Sequence, residues 1–201
     1  MKKIGILGGT FNPIHNGHIQ MLEYSKTEAD LDKVILMPTF MPPHKDSKNI
    51  VSANHRLNMC RLACENLTYT EVSDLEIRLE DKSYTYRTLQ LLHEMYPEDE
   101  LYFIEGADMF LTMQSWKNPE VIFSLAKIIA VPRDYDSFQE LKIHYREVLS
   151  KMGAQALVLQ NPVLTVSSTY IRDNIDNVDL LKELIDKRVY DYINENNLYR
   201  V

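Results

Sequence analysis

The chain has 201 residues, 45% apolar and 25% charged, with a formal net charge of −7 and a pI near 5.4, enough to bury one sizeable core. That acidity argues against a broad nucleic-acid footprint, which needs a basic surface to displace counterions, so any anion site must be locally basic. No stretch approaches the roughly 20 apolar residues that span a bilayer, and Met1-Lys2-Lys3 leads into only a short apolar strand, so the sequence predicts no membrane partner, no export and a cytoplasmic location.

In chain order, Ile4 to Leu7 reads as a buried strand and is followed by Gly8-Gly9-Thr10-Phe11-Asn12-Pro13-Ile14-His15-Asn16-Gly17-His18. Gly8 and Gly9 are expected to adopt conformations that side chains forbid, and Asn16 to cap a helix opening at Gly17. A phosphate would then meet free amide hydrogens, with the rings of His15 and His18, at spacing i, i+3, on one side of the helix mouth as donors. A second strand, Val34 to Met37, runs into Pro38-Thr39-Phe40-Met41-Pro42-Pro43-His44-Lys45, where the prolines stiffen a loop presenting His44 and Lys45 to a second phosphate or simply to solvent. Leu57, Cys60, Cys64 and Leu67 form a helical stripe on which both cysteines read as core rather than as metal ligands or a disulfide.

A third strand is expected over Thr70 to Asp74 and a helical face through Leu89, Leu92 and Tyr96. The strand Leu101 to Glu105 leads to Gly106 and Asp108, which suit a close-lying base and ribose hydroxyls, or a helix start capped by Asp. Trp116, the sole tryptophan, sits in a polar stretch beside Lys117 and can stack on a flat ring or pack. Strands Ile128 to Val131 and Ala156 to Leu159 flank the face Phe138, Leu141, Tyr145 and Val148. Ser167, Ser168, Thr169 and Arg172 then open a helix, as a cap or as a phosphate site, and a helical tail runs from about Asp176 to Asn197. Strands alternating with helical stripes give a doubly wound α/β pattern with a mostly parallel sheet, expected to be a single domain over 1–201 with the tail as its cap.

Neither Gly-x-x-x-x-Gly-Lys-[Ser/Thr] nor Gly-x-Gly-x-x-Gly occurs, which argues against a P-loop ATPase and a nicotinamide-type dehydrogenase, as the absence of Lys-Met-Ser-Lys-Ser does against an aminoacyl-tRNA synthetase fragment. The segment Gly8 to His18 resembles the His-x-Gly-His nucleotidylyltransferases, and Gly-Gly-Thr-Phe-Asn-Pro-Ile-His is similar to the bacterial nicotinate mononucleotide adenylyltransferases. Pro-Pro-His-Lys, Ser83-Tyr84-Thr85, Gly106-x-Asp108, Trp116 and Ser-Ser-Thr-x-Ile-Arg extend the resemblance over nearly the whole chain. It departs from the family pattern at Asn12, where Asp is commoner, at the charged Glu105, at Lys117, where an aromatic is common, and at Arg133-Asp134-Tyr135, where the family often has Arg-Pro-Gly.

The resemblance implies a Rossmann-like fold and an enzyme that joins ATP and nicotinate mononucleotide into deamido-NAD and pyrophosphate, with nicotinamide mononucleotide or phosphopantetheine as alternative acceptors and a non-catalytic nucleotide sensor as the alternative of another class. It implies triphosphate contacts from His15 and His18, charge neutralisation by Lys45 and Arg172, and ATP binding by Gly8, Gly9, Thr10, Phe11, Gly17, Gly106, Asp108, Arg133, Ser167, Ser168 and Thr169. Nicotinate mononucleotide would meet Thr39, His44, Lys45, Tyr84, Thr85, Trp116 and Lys117. The histidines show no metal-ligand spacing, so magnesium would arrive on ATP, held by phosphate oxygens and water. Oligomeric state has no readable signal, and a homo-oligomer stays open.

Overall fold

The computed structural model describes residues 1–42 and 50–200. Its strands are β1 (Lys3–Gly9), β2 (Lys33–Pro38), β3 (Thr70–Val72), β4 (Glu100–Gly106), β5 (Ala126–Val131) and β6 (Ala156–Val158). All pair in parallel, in the order β3-β2-β1-β4-β5-β6, so the order reverses between β1 and β4, where ligands of doubly wound sheets bind. The helices are α1 (Asn16–Glu28), α2 (Ala53–Cys64), α3 (Leu75–Leu79), α4 (Thr85–Met95), α5 (Ala107–Phe110), α6 (Pro119–Leu125), α7 (Tyr135–Glu147), α8 (Ser168–Asp173), α9 (Val178–Leu181) and α10 (Lys187–Glu195).

Strand alternation divides the core into two layers. Ile6, Ile35, Met37, Leu101, Phe103, Ile128 and Ala130 face one side, against Leu89 and Leu92 of α4, Ile122 of α6 and Leu141 of α7. Leu7, Val34, Leu36, Ile104, Ile129 and Val131 face the other, against Leu22 of α1, Met59, Cys60 and Cys64 of α2 and Val189 and Ile193 of α10. Every strand of the centre is thus apolar on both faces, which is why the sequence shows continuous apolar runs there. Both cysteines are buried and free, and burial pushes the Cys64 thiol up to about 12, as core packing requires.

Three local expectations are corrected. The third strand stops at Val72: the Ser73 amide makes the last ladder bond, to the Leu36 carbonyl (2.9 Å), and Asp74 becomes the N-cap residue of α3. Asn16 is not a cap: it is the first residue of α1, preceded by His15 at the cap position, and its Nδ2 donates to the Glu183 carbonyl (2.8 Å). Gly8 and Gly9 have no left-handed backbone; the positive φ falls on Phe11, at 48°. Gly9 is needed for space, since a Cβ there would lie 2.6 Å from the Phe11 ring, whereas one on Gly8 would meet nothing closer than Phe103 at 3.7 Å. The helical tail holds two helices, α9 capped by Asn177 and α10 capped by Asp186.

Candidate active site

The turn after β1 carries the first group of candidate residues. Phe11 is 2% exposed and its ring meets His18 edge-on at 5.0 Å, while His15 and His18 stack at 3.6 Å. The i, i+3 spacing therefore does bring both rings together at the mouth of α1. His18 Nδ1 accepts from the His15 amide at 3.3 Å, which orients that ring. Burial drops the His15 pKa to about 4, so His15 is neutral near pH 7 and offers a hydrogen bond rather than a charge. Its Nδ1 is buried without a partner among the described residues.

Free amides at this mouth are fewer than expected. The Asn16 amide donates to the Leu184 carbonyl (2.8 Å) and the His18 amide to the His15 carbonyl (2.9 Å), leaving Gly17, among the described residues, as the amide of the first turn with no carbonyl partner. Gly17 has a second, steric role. A Cβ there would come within 2.8 Å of the Leu164 carbonyl oxygen and 3.2 Å of Val166, so its hydrogen lets the segment before α8 close onto α1.

That segment delivers the second group. Ser167 caps α8, its Oγ accepting from the Tyr170 amide (3.1 Å). Ser168 Oγ donates to the Pro13 carbonyl (2.8 Å) and Arg172 Nη1 to the Asn12 carbonyl (2.7 Å), while Arg172 Nη2 donates to Thr169 Oγ1 (3.1 Å). Residues some 150 positions apart in sequence, a separation of 155 for Ser168 and Pro13, are thereby held as one unit. Asn12 Oδ1 accepts from the Val51 amide (3.2 Å) and from the Tyr199 hydroxyl (3.1 Å). Both bonds ask only for an acceptor oxygen, which explains why Asn serves where Asp is the commoner residue.

Arg56, which sequence reasoning does not single out, ties these loops together. It is 1% exposed and donates to the carbonyls of Thr10 (2.8 Å), Phe40 (3.0 Å) and Val51 (3.2 Å), bridging the turns after β1 and β2. Its sequence signal is a cation on the apolar stripe of α2, at i−3 and i−4 to the buried Met59 and Cys60.

Between these turns and α4 lies a pocket of about 350 Å³ lined by Gly8, Gly9, Thr10, Thr39, Ser83, Tyr84, Thr85, Trp116 and Lys117, with Phe103, Leu89 and Ile122 supplying apolar wall. Trp116 is half-buried, edge-on to Phe103 at 6.1 Å, with Nε1 donating to Thr112 Oγ1 (3.3 Å). Lys117 places Nζ 4.4 Å from the Tyr84 ring centroid at the pocket rim, a cation–π contact that an aromatic residue there would not make. Tyr84 is the cap position of α4 and Thr85 its first residue. The Arg87 and Thr88 amides turn back to the Tyr84 carbonyl, so among the described residues those of Thr85 and Tyr86 remain the unpaired donors of the first turn. Two buried carboxyl groups also line the pocket, Glu76 and Glu105.

On the other side of the switch point, Asp108 and Arg133 form an exposed ion pair beyond the ends of β4 and β5. A Cβ on Gly106 would meet only Met21 Cε, at an ordinary contact distance of 3.8 Å. The loop at Arg133-Asp134-Tyr135 is a helix start: Asp134 Oδ1 accepts from the Ser137 amide (2.7 Å) and Ser137 Oγ from the Arg133 amide (2.9 Å). His44 and Lys45 lie outside the described residues. Among the described residues no group of His, Cys, Asp and Glu is placed to hold a metal ion, and no helix is long and apolar enough to cross a membrane.

A strand-turn-helix with paired histidines, a hydroxyl and guanidinium cluster packed against it, and an aromatic pocket alongside thus meet at the switch point of a doubly wound α/β sheet, the architecture of nucleotide-handling proteins. The cytidylyltransferase-like family model matches residues 6–174. The chain is 38% identical to a probable nicotinate-nucleotide adenylyltransferase of Clostridium tetani, over 100% of both chains, and 39% identical to one of Carboxydothermus hydrogenoformans, over 98% of each. It superposes on Plasmodium falciparum nicotinic acid mononucleotide adenylyltransferase complexed with NaAD with a TM-score of 0.80 and 24% identity, covering 99% of this chain and 98% of that one, a likeness of fold. The chain belongs to the cytidylyltransferase-like family and, within it, to the nicotinate-nucleotide adenylyltransferases.

Proposed function

We propose that the protein transfers the adenylyl group of ATP to nicotinate mononucleotide, giving deamido-NAD and pyrophosphate. The observation that carries this reading is the pocket: Trp116 as a platform for a pyridine ring, with the Thr85 amide, unpaired among the described residues, available to a carboxylate, beside the histidine turn. Family membership supports it.

The acceptor phosphate is largely dianionic near neutral pH, its second pKa being about 6, so no general base is required. One of its oxygens attacks the α-phosphorus of ATP, a new phosphoanhydride bond forms, the bond to the β-phosphate bridging oxygen breaks, and pyrophosphate leaves with that electron pair. Catalysis is then positioning and neutralisation of charge. In this reading His18 and the neutral His15 donate to triphosphate oxygens, Arg172 and Lys45 neutralise developing charge, and Ser168, Thr169 and the Gly17 amide orient the β and γ groups. Gly8, Gly9, Thr10 and Phe11 shape the phosphate path, with Ser167 holding α8. Gly106 faces the adenine, and Asp108 with Arg133 meets the adenosine. Thr39, His44, Tyr84, Thr85, Trp116 and Lys117 serve the nicotinate mononucleotide. Magnesium enters with ATP as part of the substrate. The reading also takes residues 1–201 as one domain and the enzyme as cytoplasmic, where thiols such as Cys60 and Cys64 stay reduced.

Trp116→Ala tests the pocket assignment. Base–aromatic stacking is worth about 1–3 kcal/mol, so KM for nicotinate mononucleotide should rise roughly tenfold to a hundredfold with KM for ATP unchanged. A variant that loses thermal stability and keeps both constants would make Trp116 a packing residue and remove the support.

A further inference from the structure

The pocket wall contains an acid that the mechanism above does not use. Glu105 ends the core of β4, shares the strand face of Phe103, is 8% exposed and lines the pocket together with Trp116, Tyr84 and Thr85. The pocket's other buried carboxyl, Glu76, leaves Oε2 without a partner among the described residues but is committed through Oε1, which accepts from Thr88 Oγ1 at 2.6 Å. The neighbouring Ser83 Oγ is likewise committed, accepting from the Phe40 amide at 3.0 Å. Glu105 has no hydrogen bond or ion pair among the described residues. Buried polar groups in native proteins are rarely left unpaired, and one on the wall of a binding pocket is the group whose partner is the ligand.

Resting on the reading of this pocket as the acceptor site, we propose that Glu105 is a specificity-determining residue that reads the substituent of the pyridine ring. As a neutral carboxylic acid it donates a hydrogen bond to a ring carboxylate. As a carboxylate it repels that anion and accepts from the amino group of a ring carboxamide. The same side chain therefore favours the acid in one protonation state and the amide in the other.

Desolvation alone pushes Glu105 up to about 8, so the exchange falls within a workable range. The other ionisable groups lining the pocket are Glu76 on α3, Tyr84 at the start of α4 and Lys117 before α6, and burial raises Glu76 above the ordinary carboxylate range against the opposing pull of the nearby Ser83 and Thr88 hydroxyls and of Arg56. Replacing Glu105 leaves all three in place, so a pH effect that did not come from Glu105 would survive the replacement.

The test is the ratio of kcat/KM for nicotinate mononucleotide to that for nicotinamide mononucleotide, measured at pH 6.5 and pH 9.5 in the wild type and in Glu105→Gln. Both acceptors carry the same phosphate and meet the same ATP, so shared ionisations cancel in the ratio. Losing one charge-assisted hydrogen bond and gaining a repulsion should lower the wild-type ratio about tenfold or more as pH rises. Glutamine donates and accepts without titrating, so its ratio should stay constant within about twofold. A flat wild-type ratio overturns the proposal, and so does a Glu105→Gln ratio that falls as steeply as the wild type. Turnover of neither acceptor at either pH overturns the adenylyltransferase reading itself, and with it this inference.

Discussion

Gly17→Ala puts the architecture of the site at risk with a single methyl group. The added Cβ would stand 2.8 Å from the Leu164 carbonyl oxygen, with Val166 Cγ1 and His15 Nδ1 each at 3.2 Å. The closest neighbour is backbone, so it cannot rotate aside. Relief requires the segment before α8 to move by several tenths of an ångström, and overpacking of this kind costs about 1–3 kcal/mol. Alanine in the first turn of a helix returns roughly 0.5–1 kcal/mol relative to glycine. The net expectation is a loss of about 0.5–2 kcal/mol in urea or thermal unfolding. The displaced segment carries Ser168 and Arg172 off the Pro13 and Asn12 carbonyls, which they hold at 2.8 and 2.7 Å. Hence kcat should fall about tenfold or more, as a small misplacement near the reacting groups allows, while KM for nicotinate mononucleotide stays near its wild-type value. A Gly17→Ala protein that is more stable than wild type with unchanged kcat would refute the packing argument, because helix propensity would then have won without disturbing α8.

Arg56→Met removes the cation that bridges the carbonyls of Thr10, Phe40 and Val51 and leaves one buried and two part-buried acceptors without their donor; with a cost of about 1–3 kcal/mol for a buried unpaired acceptor and less for the part-buried ones, a destabilisation of about 2 kcal/mol or more is expected in denaturant titration, and a loss below about 1 kcal/mol would contradict the bridging role. The acid limb of stability should report His15. Its pKa falls from 6.5 to about 4 on folding, so the unfolded chain takes up the proton first, and stability fully present above pH 6.5 is lost as pH falls through 4. The loss amounts to about 3 kcal/mol from this group, and His15→Asn should flatten that limb; an unchanged limb in the variant would place the acid sensitivity elsewhere. His18→Ala should cut kcat far more than it weakens nicotinate mononucleotide binding, and equal losses in both would contradict a role confined to the transition state.

The sheet was readable because its central strands are buried on both faces and appear as uninterrupted apolar runs, such as Ile4 to Leu7 and Ile128 to Val131. The short helices α3, α5 and α6 have too few turns to show a stripe, and periodicity does not find them. At the site, spacing correctly joined His15 to His18, and the Ser-Tyr-Thr and Trp116 segments converge on one pocket. Burial and partner choice were not legible. Nothing local to His15 says that its ring is desolvated, and Phe11 rather than a glycine takes the positive φ because Gly9 clears room for its ring. Arg56 and the Tyr199 bond to Asn12 depend on loops meeting across the fold, and the only trace of the first in the sequence is a cation on an apolar helical stripe.

The most direct test of the account is pyrophosphate release from ATP and magnesium with nicotinate mononucleotide, nicotinamide mononucleotide and phosphopantetheine supplied separately at equal concentration near pH 7. The account predicts strong release with nicotinate mononucleotide, weak release with its amide and none with phosphopantetheine, accompanied by deamido-NAD. Release led by phosphopantetheine, or silence with all three while ATP still binds, would contradict it.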